Sequence, residues 1–480
     1  MKRFLCMVLA FVFVLLLIGC DGDSGEKNNT EDNALVIKQL EDQIEDLQEE
    51  IEKLEKENQK ITKEKSELKK ELDALKKEYE SLINDNKEDD TTTTDQSELP
   101  PSPPEIDVSS DFKIGFIILH DELSTYDLNF INAASEIKEK LGLSDDQIIM
   151  KKHIPETNEC YEAAADLVDA GCDIIFANSF GHEDFIIKAS KEFTSVQFCH
   201  VSGTKAHTEG LANFHNAFAS VYEGRYLTGI AAGMKLNEMI HNGEITADQA
   251  KIGYVGAFTY AEVVSAYTAF YLGAKSVCPS VTMEVKFSGS WYDEKEENKI
   301  AQELINNKCV LISQHADSMG APAACENAGV PNVSYNSHNI ESCPDTFIIS
   351  SKINWTPYYE YAIGCIAEGE EIATDWCGGL AEGSIVLSQV NDQVAATGTT
   401  DAIEIAIEGL KNGTIKVFDI DSFTVDGEKI ESYLADVDTD LSFVRDTEAI
   451  HDGFFDESAK RSAPYFDIEI DGITLLNRKY

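Results

Sequence analysis

Basic residues are scarce in this sequence of 480 residues. It has 39 Lys and Arg against 87 Asp and Glu, which gives a formal net charge of −48 at pH 7. A surface this acidic repels nucleic acid and anionic lipid headgroups, and it disfavours phosphate-rich ligands unless a local basic pocket binds them. We therefore expect no nucleic-acid partner.

The short motifs of common enzymes are also missing. The sequence has no G-x-S-x-G, H-E-x-x-H or Walker motif, and its ten His residues show no metal-ligand spacing. No C-x-x-C pair occurs either. These absences predict a protein that is not an enzyme and that uses no metal or other cofactor.

Cysteine is sparse, and nine of the eleven cysteines follow residue 20. Because nine is odd, at least one of them has no partner within the chain. Several stand in apolar runs that predict strands, so we interpret most of them as small buried apolar side chains, with disulfide bonds as the alternative. The nine are Cys160, Cys172, Cys199, Cys278, Cys309, Cys325, Cys343, Cys365 and Cys377.

A long apolar run occupies residues 4–18, behind the basic pair Lys2 and Arg3. It is too short to span a bilayer comfortably and has no basic flank after it, which is typical of a cleaved export signal. A glycine and Cys20 follow, and they resemble the lipobox of bacterial lipoproteins. We expect residues 1–20 to be a signal peptide and Cys20 to anchor the mature chain, by a lipid, to the outer face of the cell membrane. The alternative is an ordinary signal peptide with an incidental cysteine.

After a polar tether at residues 21–36, a heptad pattern predicts a coiled-coil stalk over residues 37–83. Ile at the first a positions and Leu at d favour a parallel homodimer, and Asn58 and Lys65 at later a positions help to fix its register. The alternative is a single charged helix that acts as a spacer. The core positions are Ile37, Leu40, Ile44, Leu47, Ile51, Leu54, Asn58, Ile61, Lys65, Leu68, Leu72, Leu75, Tyr79 and Leu82.

An acidic, Thr- and Pro-rich linker follows at residues 84–110, and a different sequence pattern begins after it, at residue 111. Short, solidly apolar runs alternate with helical patterns, which predicts parallel strands covered by helices on both faces. The unit recurs in two sets, so residues 111–480 predict an α/β body of two Rossmann-like lobes with a ligand cleft between them. We expect strands at residues 114–119, 148–153, 173–177, 196–201, 252–257, 281–287, 310–313 and 347–350. We expect helices at residues 128–141, 158–170, 183–193, 221–239, 263–276, 294–307 and 321–328.

The boundaries of the two lobes are predicted from the same pattern. Lobe 1 is expected at about residues 111–219 and 337–354, and lobe 2 at about residues 220–336 and 355–480. Residues 390–480 carry weak signals, apart from hairpin-like patterns at residues 423–429 and 466–475. Ligands in parallel sheets bind beyond the carboxyl ends of the strands. That rule selects residues 120–126, 178–181, 202–204, 258–260, 314–318 and 336–338.

Several motifs, in this order along the chain, resemble those of the basic membrane protein family, the lipoprotein receptors of nucleoside-type ABC importers. The likeness covers about residues 112–390 and implies a type I periplasmic-binding-protein fold, an ABC permease as partner, and a purine base or nucleoside as ligand. The motifs are Asn178-Ser179-Phe180-Gly181-His182, Tyr222-Glu223-Gly224-Arg225-Tyr226, Lys251-Ile252-Gly253-Tyr254-Val255, Gly289-Ser290-Trp291-Tyr292-Asp293, Gln314-His315-Ala316-Asp317-Ser318 and Asn354-Trp355-Thr356-Pro357-Tyr358-Tyr359.

A purine has two flat faces and a polar edge, so its site needs aromatic side chains and a few fixed polar groups. For each aromatic candidate the alternative is ordinary core packing, and for Asp317 it is a helix N-cap. Candidates for one stacking face are Phe180 and Tyr126, and for the other Phe258, Trp291 and Trp355. Candidates for the polar edge are the acceptor Asp317 and the neutral groups Ser179, Asn336 and Asn354.

Two further choices stay open. Asn336-Ser337-His338 stands where the family often has an acidic D-x-D element, and a carboxylate there suits ribose hydroxyls, so a bare base is favoured over a nucleoside. The stalk also allows a different role for the same fold, as a ligand sensor that signals to a membrane partner. Neighbouring permease and ATPase genes would support uptake, and a neighbouring sensor kinase gene would support signalling.

The stalk yields a prediction that is independent of the body. We expect a peptide of residues 33–86 to be helical and dimeric, because its heptad positions bury Ile and Leu against a second copy. Sedimentation equilibrium and circular dichroism measure both properties, and a peptide that stays monomeric at high concentration would rule out the dimer.

Overall fold

The structure is a computed structural model and describes Lys56, Ile106 and residues 108–437 and 444–480. The predicted signal peptide, lipidated Cys20, tether, stalk and linker lie outside the described residues, apart from Lys56 and a few residues at the linker's end. The described residues from Ile106 to Tyr480 form one compact unit. In the described part of the chain, we find no helix with both the length and the apolar character needed to cross a membrane.

The first sheet has six strands in the order β11-β5-β4-β3-β1-β2, and all its pairs are parallel. The inner strands β1 and β3 are buried along their whole length, as expected from their solid apolar sequences. The strands are β1 (Ile114–Ile117), β2 (Ile148–Lys151), β3 (Ile174–Ala177), β4 (Gln197–Val201), β5 (Phe214–Ala219) and β11 (Asp375–Gly378).

The helices of lobe 1 begin and end where local sequence directs them. Helix α1 begins after Ser124, whose hydroxyl accepts a hydrogen bond from the Asp127 N–H, and Gly142 (φ +64°) follows its end. Two apolar cores, one on each face of the sheet, hold these helices against the strands. The helices are α1 (Thr125–Lys140), α2 (Asn158–Asp169), α3 (Glu183–Glu192), α4 (Ala206–Glu209) and α9 (Thr356–Glu368).

The second sheet has seven strands in the order β12-β10-β9-β8-β6-β7-β17. Only β12 is antiparallel to its neighbour among these strands. Its strands are β6 (Lys251–Gly256), β7 (Thr282–Phe287), β8 (Leu311–His315), β9 (Asn332–Tyr335), β10 (Phe347–Ile353), β12 (Ile385–Leu387) and β17 (Ile473–Leu475). Its helices are α5 (Val221–His241), α6 (Ala261–Val277), α7 (Glu294–Asn306), α8 (Gly320–Ala328) and α10 (Thr399–Lys411).

Within the described residues the chain crosses between the lobes three times, and the predicted boundaries of the last two crossings were wrong. Strand β10 pairs with β9 and therefore belongs to lobe 2. Helix α9 and strand β11 return to lobe 1, where β11 pairs with β5. A solid apolar run indicates a buried strand, but it carries no information about which of two sheets accepts it.

The C-terminal region completes lobe 2. Val425 and Glu428 form an antiparallel bridge, as the hairpin pattern there predicts. The second predicted hairpin is not formed, because β17 pairs in parallel with β7 instead. Two short ladders, β13 (Leu434–Ala435) with β14 (Thr447–Glu448) and β15 (Ile450–His451) with β16 (Phe454–Phe455), lie between.

The nine cysteines of the described residues are free thiols, and eight of them are buried. This agrees with their interpretation as small apolar side chains. Burial raises the pKa of most of these thiols, for example that of Cys172 to about 11, so they stay protonated at neutral pH.

Helices α5 and α6 approach each other so closely that glycine is required at their contact. A Cβ atom on Gly273 would lie 2.0 Å from the Tyr226 carbonyl oxygen, and one on Gly229 would lie 2.1 Å from that of Phe270. We expect Gly273→Ala to lower the free energy of unfolding by about 1–3 kcal/mol, because backbone cannot yield as a side chain can.

Gly364 in α9 is the matched control, since its added Cβ would meet only the Ile106 side chain at 3.6 Å. Gly364→Ala should be neutral or stabilising by up to about 1 kcal/mol through helix propensity. Urea unfolding measures both variants, and equal effects at the two glycines would contradict the close packing of α5 and α6.

Candidate functional site

A small cavity lies between the lobes, at the carboxyl ends of β1, β3, β4 and β8. Its volume is about 20 Å³, which is room for about one water molecule. Its lining residues are Leu119, Tyr126, Asp127, Ser179, Phe180, Ser202, Glu262, Trp291, His315, Asp317 and Tyr335.

The cavity is small because the lobes touch across it. The Phe180 ring of lobe 1 stacks on Tyr260 of lobe 2, with centroids 5.2 Å apart and an interplanar angle of 28°. The Thr125 N–H, at the start of α1, donates to the Asp317 carbonyl oxygen at 2.9 Å. The structure therefore has a closed cleft, and a ring-sized ligand enters only when Phe180 and Tyr260 separate.

Aromatic rings form a continuous row from one lobe to the other. Beyond Tyr260 the row continues to Phe258, stacked at 5.1 Å, and then to Trp291, which meets Phe258 edge-on at 5.0 Å. Tyr126 lies on the lobe 1 side, where its hydroxyl donates to the Asn178 carbonyl oxygen at 2.8 Å. The site thus offers flat apolar surfaces on both walls.

The carboxylate of Glu156 fixes the loop that carries Phe180. Glu156 accepts hydrogen bonds from the Ser179 hydroxyl at 2.6 Å and from the Gly181 N–H at 2.8 Å. A Cβ on residue 181 would lie 2.6 Å from the Glu156 Cδ atom, so a larger residue there would displace the Glu156 side chain. These contacts flank Phe180 on both sides and hold its ring toward the cleft.

Asp317 is the polar centre of the cavity. Its backbone is fixed on both sides, since its N–H donates to the Trp291 carbonyl oxygen and its own carbonyl accepts from Thr125. Its side chain is 5% exposed and has no hydrogen bond or ion pair within the described residues. Burial, together with the nearby carboxylates of Asp127, Glu297 and Glu262, raises the pKa of Asp317 well above its usual value.

Asp127, across the cavity, behaves in the opposite way. Burial opposes its ionisation, but hydrogen bonds from His120, Ser124 and Asn178 outweigh burial and lower the pKa of Asp127. The Asn178 amide donates to it at 2.7 Å, and His120 Nδ1 lies 3.2 Å from it. One wall therefore keeps a stable carboxylate, and the other holds a carboxyl group that resists ionisation.

Three side chains of lobe 2 complete the polar lining. His315 Nε2 lies 3.6 Å from Glu262 Oε1, and the His315 ring stacks on Tyr335 with centroids 4.4 Å apart. Burial lowers the pKa of His315, which favours the neutral ring. Among the described residues, none accepts from or donates to the buried Tyr335 hydroxyl.

Five of the sequence candidates come together at the cavity, namely Tyr126, Ser179, Phe180, Trp291 and Asp317. Phe258 lies one ring behind, in the aromatic row. Lining residues that were not singled out as candidates are Leu119, Asp127, Ser202, Glu262, His315 and Tyr335. The strand-end rule covers Ser202 and His315, but Glu262 and Asp127 lie in the first turns of helices and Tyr335 within a strand.

The other three candidates do not line the cavity. Trp355 is fully buried and stacks on Phe130 of α1 at 4.7 Å, which makes it part of the lobe 1 core. The Asn354 side chain donates to the Gly383 carbonyl and accepts from the Thr356 N–H, at a crossover. Asn336 (φ +60°) accepts from Asn129 at 3.2 Å and helps to join the lobes. Hydrogen bonding and packing of the crossovers hold all three away from the cleft.

Comparisons with known proteins agree with this architecture. A family model for PnrA-like ABC transporter substrate-binding proteins, called Bmp, matches residues 131–420. A putative ABC transporter glucose-binding protein from Haloferax volcanii is 31% identical over 233 residues, which are 47% of this chain and 56% of that protein. A purine-binding protein from Brucella abortus is 28% identical over 279 residues, 58% of this chain and 75% of that protein. This chain thus spans only a little over half the length of the Haloferax relative.

A solved structure shows the same fold. An ABC transporter solute-binding protein from Aeropyrum pernix superposes with a TM-score of 0.54 at 16% identity, over 64% of this chain and 93% of that one. Fold and cleft together define a two-lobed solute-binding architecture of the type I periplasmic class. The chain belongs to the Bmp family of PnrA-like ABC transporter substrate-binding proteins, which confirms the resemblance seen in its motifs.

The unpartnered carboxyl of Asp317 predicts a stability effect with a definite sign. Because folding raises the pKa of Asp317, the unfolded chain binds fewer protons between the two pKa values, and stability falls as pH rises across that interval. Asn cannot ionise, so we expect Asp317→Asn to raise the melting temperature at neutral pH, on the order of 2 °C or more.

Thermal unfolding at several pH values measures this effect. The gap between variant and wild type should widen as pH rises above the usual range of an aspartate. A variant less stable than wild type throughout would contradict the assignment.

Proposed function

We propose that this chain is the substrate receptor of an ABC importer, anchored by a lipid on Cys20 at the outer face of the cell membrane. In this proposal it captures a purine base or nucleoside between its two lobes and delivers it to a membrane permease. Family membership supports the receptor role, and the Brucella relative, described as purine-binding, supports the ligand class.

One observation carries the ligand proposal. Rings from both lobes and the unpartnered carboxyl of Asp317 meet in one cavity. Phe180 and Trp291 provide faces for a flat heterocycle, and Asp317 provides an acceptor for ring or amino N–H groups. A purine uses both features at once, because its flat faces stack on the rings while its N–H edge reaches the carboxyl.

The proposed binding cycle follows from the contacts between the lobes. Rotation about the three crossovers separates Phe180 from Tyr260 and breaks the hydrogen bonds from Thr125 to the Asp317 carbonyl oxygen. A ligand that stacks between the walls restores closure, because it contacts both lobes and so favours the closed state. The permease then distinguishes the closed, loaded receptor from the open one.

Base contacts dominate this site over sugar contacts. Asn336, in the segment where the family pattern often has a D-x-D element, accepts hydrogen bonds from Asn129 and from the Ile353 N–H and does not line the cavity. This leaves no carboxylate from that segment for ribose hydroxyls, and we propose a free base as the better ligand.

A second candidate is a sensor of the same fold. The heptad pattern of residues 37–83 favours it, because a dimeric stalk can transmit closure to a membrane partner. Uptake of labelled purine by cells that carry or lack this gene separates the two roles, since a sensor is not required for transport.

Calorimetry with adenine, guanine, hypoxanthine, their nucleosides and glucose tests the ligand class. We expect Phe180→Ala and Trp291→Ala each to weaken purine binding by at least about 1 kcal/mol, because each removes a stacking face. Trp376→Ala is the matched control, since that indole packs on Tyr358 in lobe 1 and should leave the affinity unchanged. Heat with glucose and none with any purine would refute the purine assignment.

A further inference from the structure

The charge of the cavity goes beyond what a neutral purine requires. Three acidic side chains line it, Asp127 from lobe 1 and Glu262 and Asp317 from lobe 2, and no Lys or Arg is among the lining residues. The body around the cavity belongs to a chain with a net charge of −48. Such a surface raises the local concentration of cations at a cleft.

The charged groups around the three carboxyls do not cancel them. Asp127 accepts from the neutral Asn178 amide and lies 3.2 Å from His120 Nδ1, and His315 approaches Glu262 while burial lowers the pKa of His315 and favours its neutral ring. Glu297, which accepts from the Ser318 N–H, adds a further carboxyl behind Asp317.

Arg225 is a fully buried cation of lobe 2, and it does not line the cavity. Its guanidinium contacts the rings of Tyr254, Phe270 and Tyr335 and donates to Ser313 and Ser334. The Tyr335 ring therefore stands between Arg225 and the cavity, and Asp317 has no direct counter-charge within the described residues.

The rings of the cavity are as suitable for a cation as for a neutral heterocycle. Phe180 and Trp291, which line the cavity, present π faces, and such faces attract a delocalised positive charge when water is excluded. The Tyr335 hydroxyl, which has no hydrogen-bond partner among the described residues, adds an acceptor. Rings, carboxyls and closure are thus the features of a cage for an aromatic cation.

We propose that this cavity selects positively charged purine derivatives over neutral purines of the same shape, with Asp317 as the counter-charge of the ligand. The inference rests on the proposed function and specifies its ligand class. A neutral purine must either bind a protonated Asp317 or ionise it beside Asp127 and Glu262, which burial disfavours. A cationic ligand removes this conflict, because its charge stabilises the carboxylate in the closed cleft.

Matched ligands test the proposal. 1-Methyladenosine is a cation in slightly acid buffer, and 1-methylinosine has the same methyl group on a neutral ring. The pair differs in charge and in its 6-amino or 6-oxo group, and adenine against hypoxanthine measures the second difference alone. Each is titrated by calorimetry into the full-length protein, as riboside and as free base, with adenine and hypoxanthine as unmethylated references. We expect the cation to bind at least about tenfold more tightly than its neutral partner.

Variants locate the charge effect. Asp317→Asn keeps the shape of the side chain and should reduce the preference to about twofold or less. Asp392→Asn removes an exposed acid of lobe 2 away from the cavity and should leave the preference unchanged. Higher salt should weaken binding of the cationic ligand more than binding of the neutral one.

The outcomes separate this inference from the proposed function. Equal or tighter binding of the neutral partner, or a preference that survives in Asp317→Asn, overturns the inference while the purine receptor stands. Absence of binding by every purine, charged or neutral, overturns the proposed function itself.

Discussion

The binding site is built around one carboxyl group that is buried between the two lobes and has no hydrogen-bond or ion-pair partner among the described residues. The backbone of Asp317 is held by Trp291 on one side and by Thr125 of the opposite lobe on the other, so the side chain has a fixed position. Burial and neighbouring acids oppose its ionisation. Such a group lowers the stability of the fold, and it is retained where a ligand provides the hydrogen-bond or charge partner that the protein lacks.

Closure and recognition are joined through that same residue. The Asp317 carbonyl accepts from Thr125 across the cleft, while its carboxyl faces the cavity that this contact encloses. Phe180 has a similar double position, since it lines the cavity and stacks on Tyr260 of the other lobe. Movement of the lobes therefore changes the ligand-binding surface directly, which suits a receptor whose closed form must report its occupancy.

Much of the fold followed from sequence patterns, and the reasons for the exceptions are physical. Solid apolar runs located most of the inner strands but missed β5 and β9. The strand-end rule selected Phe180 and Asp317, which line the cleft. Strand β5 was not predicted because polar residues such as His215 and Asn216 interrupt its apolar pattern. No local pattern could assign β10 to one of the two sheets. Trp355 looked equally suitable for stacking, but its long-range contact with Phe130 decides its burial. Glu262 was not a candidate because it precedes the helix predicted at residues 263–276. Helix α6 begins at Ala261 instead and places Glu262 in its first turn, beside the cavity.

A crystal structure of the protein bound to a purine would test the central claim most directly. The account predicts a ring lying between Phe180 and the Trp291 side of the cleft, with an N–H group of the ligand in hydrogen-bond contact with the Asp317 carboxyl. A ligand bound outside this cavity, or one in the cavity that leaves Asp317 without a polar contact, would contradict it.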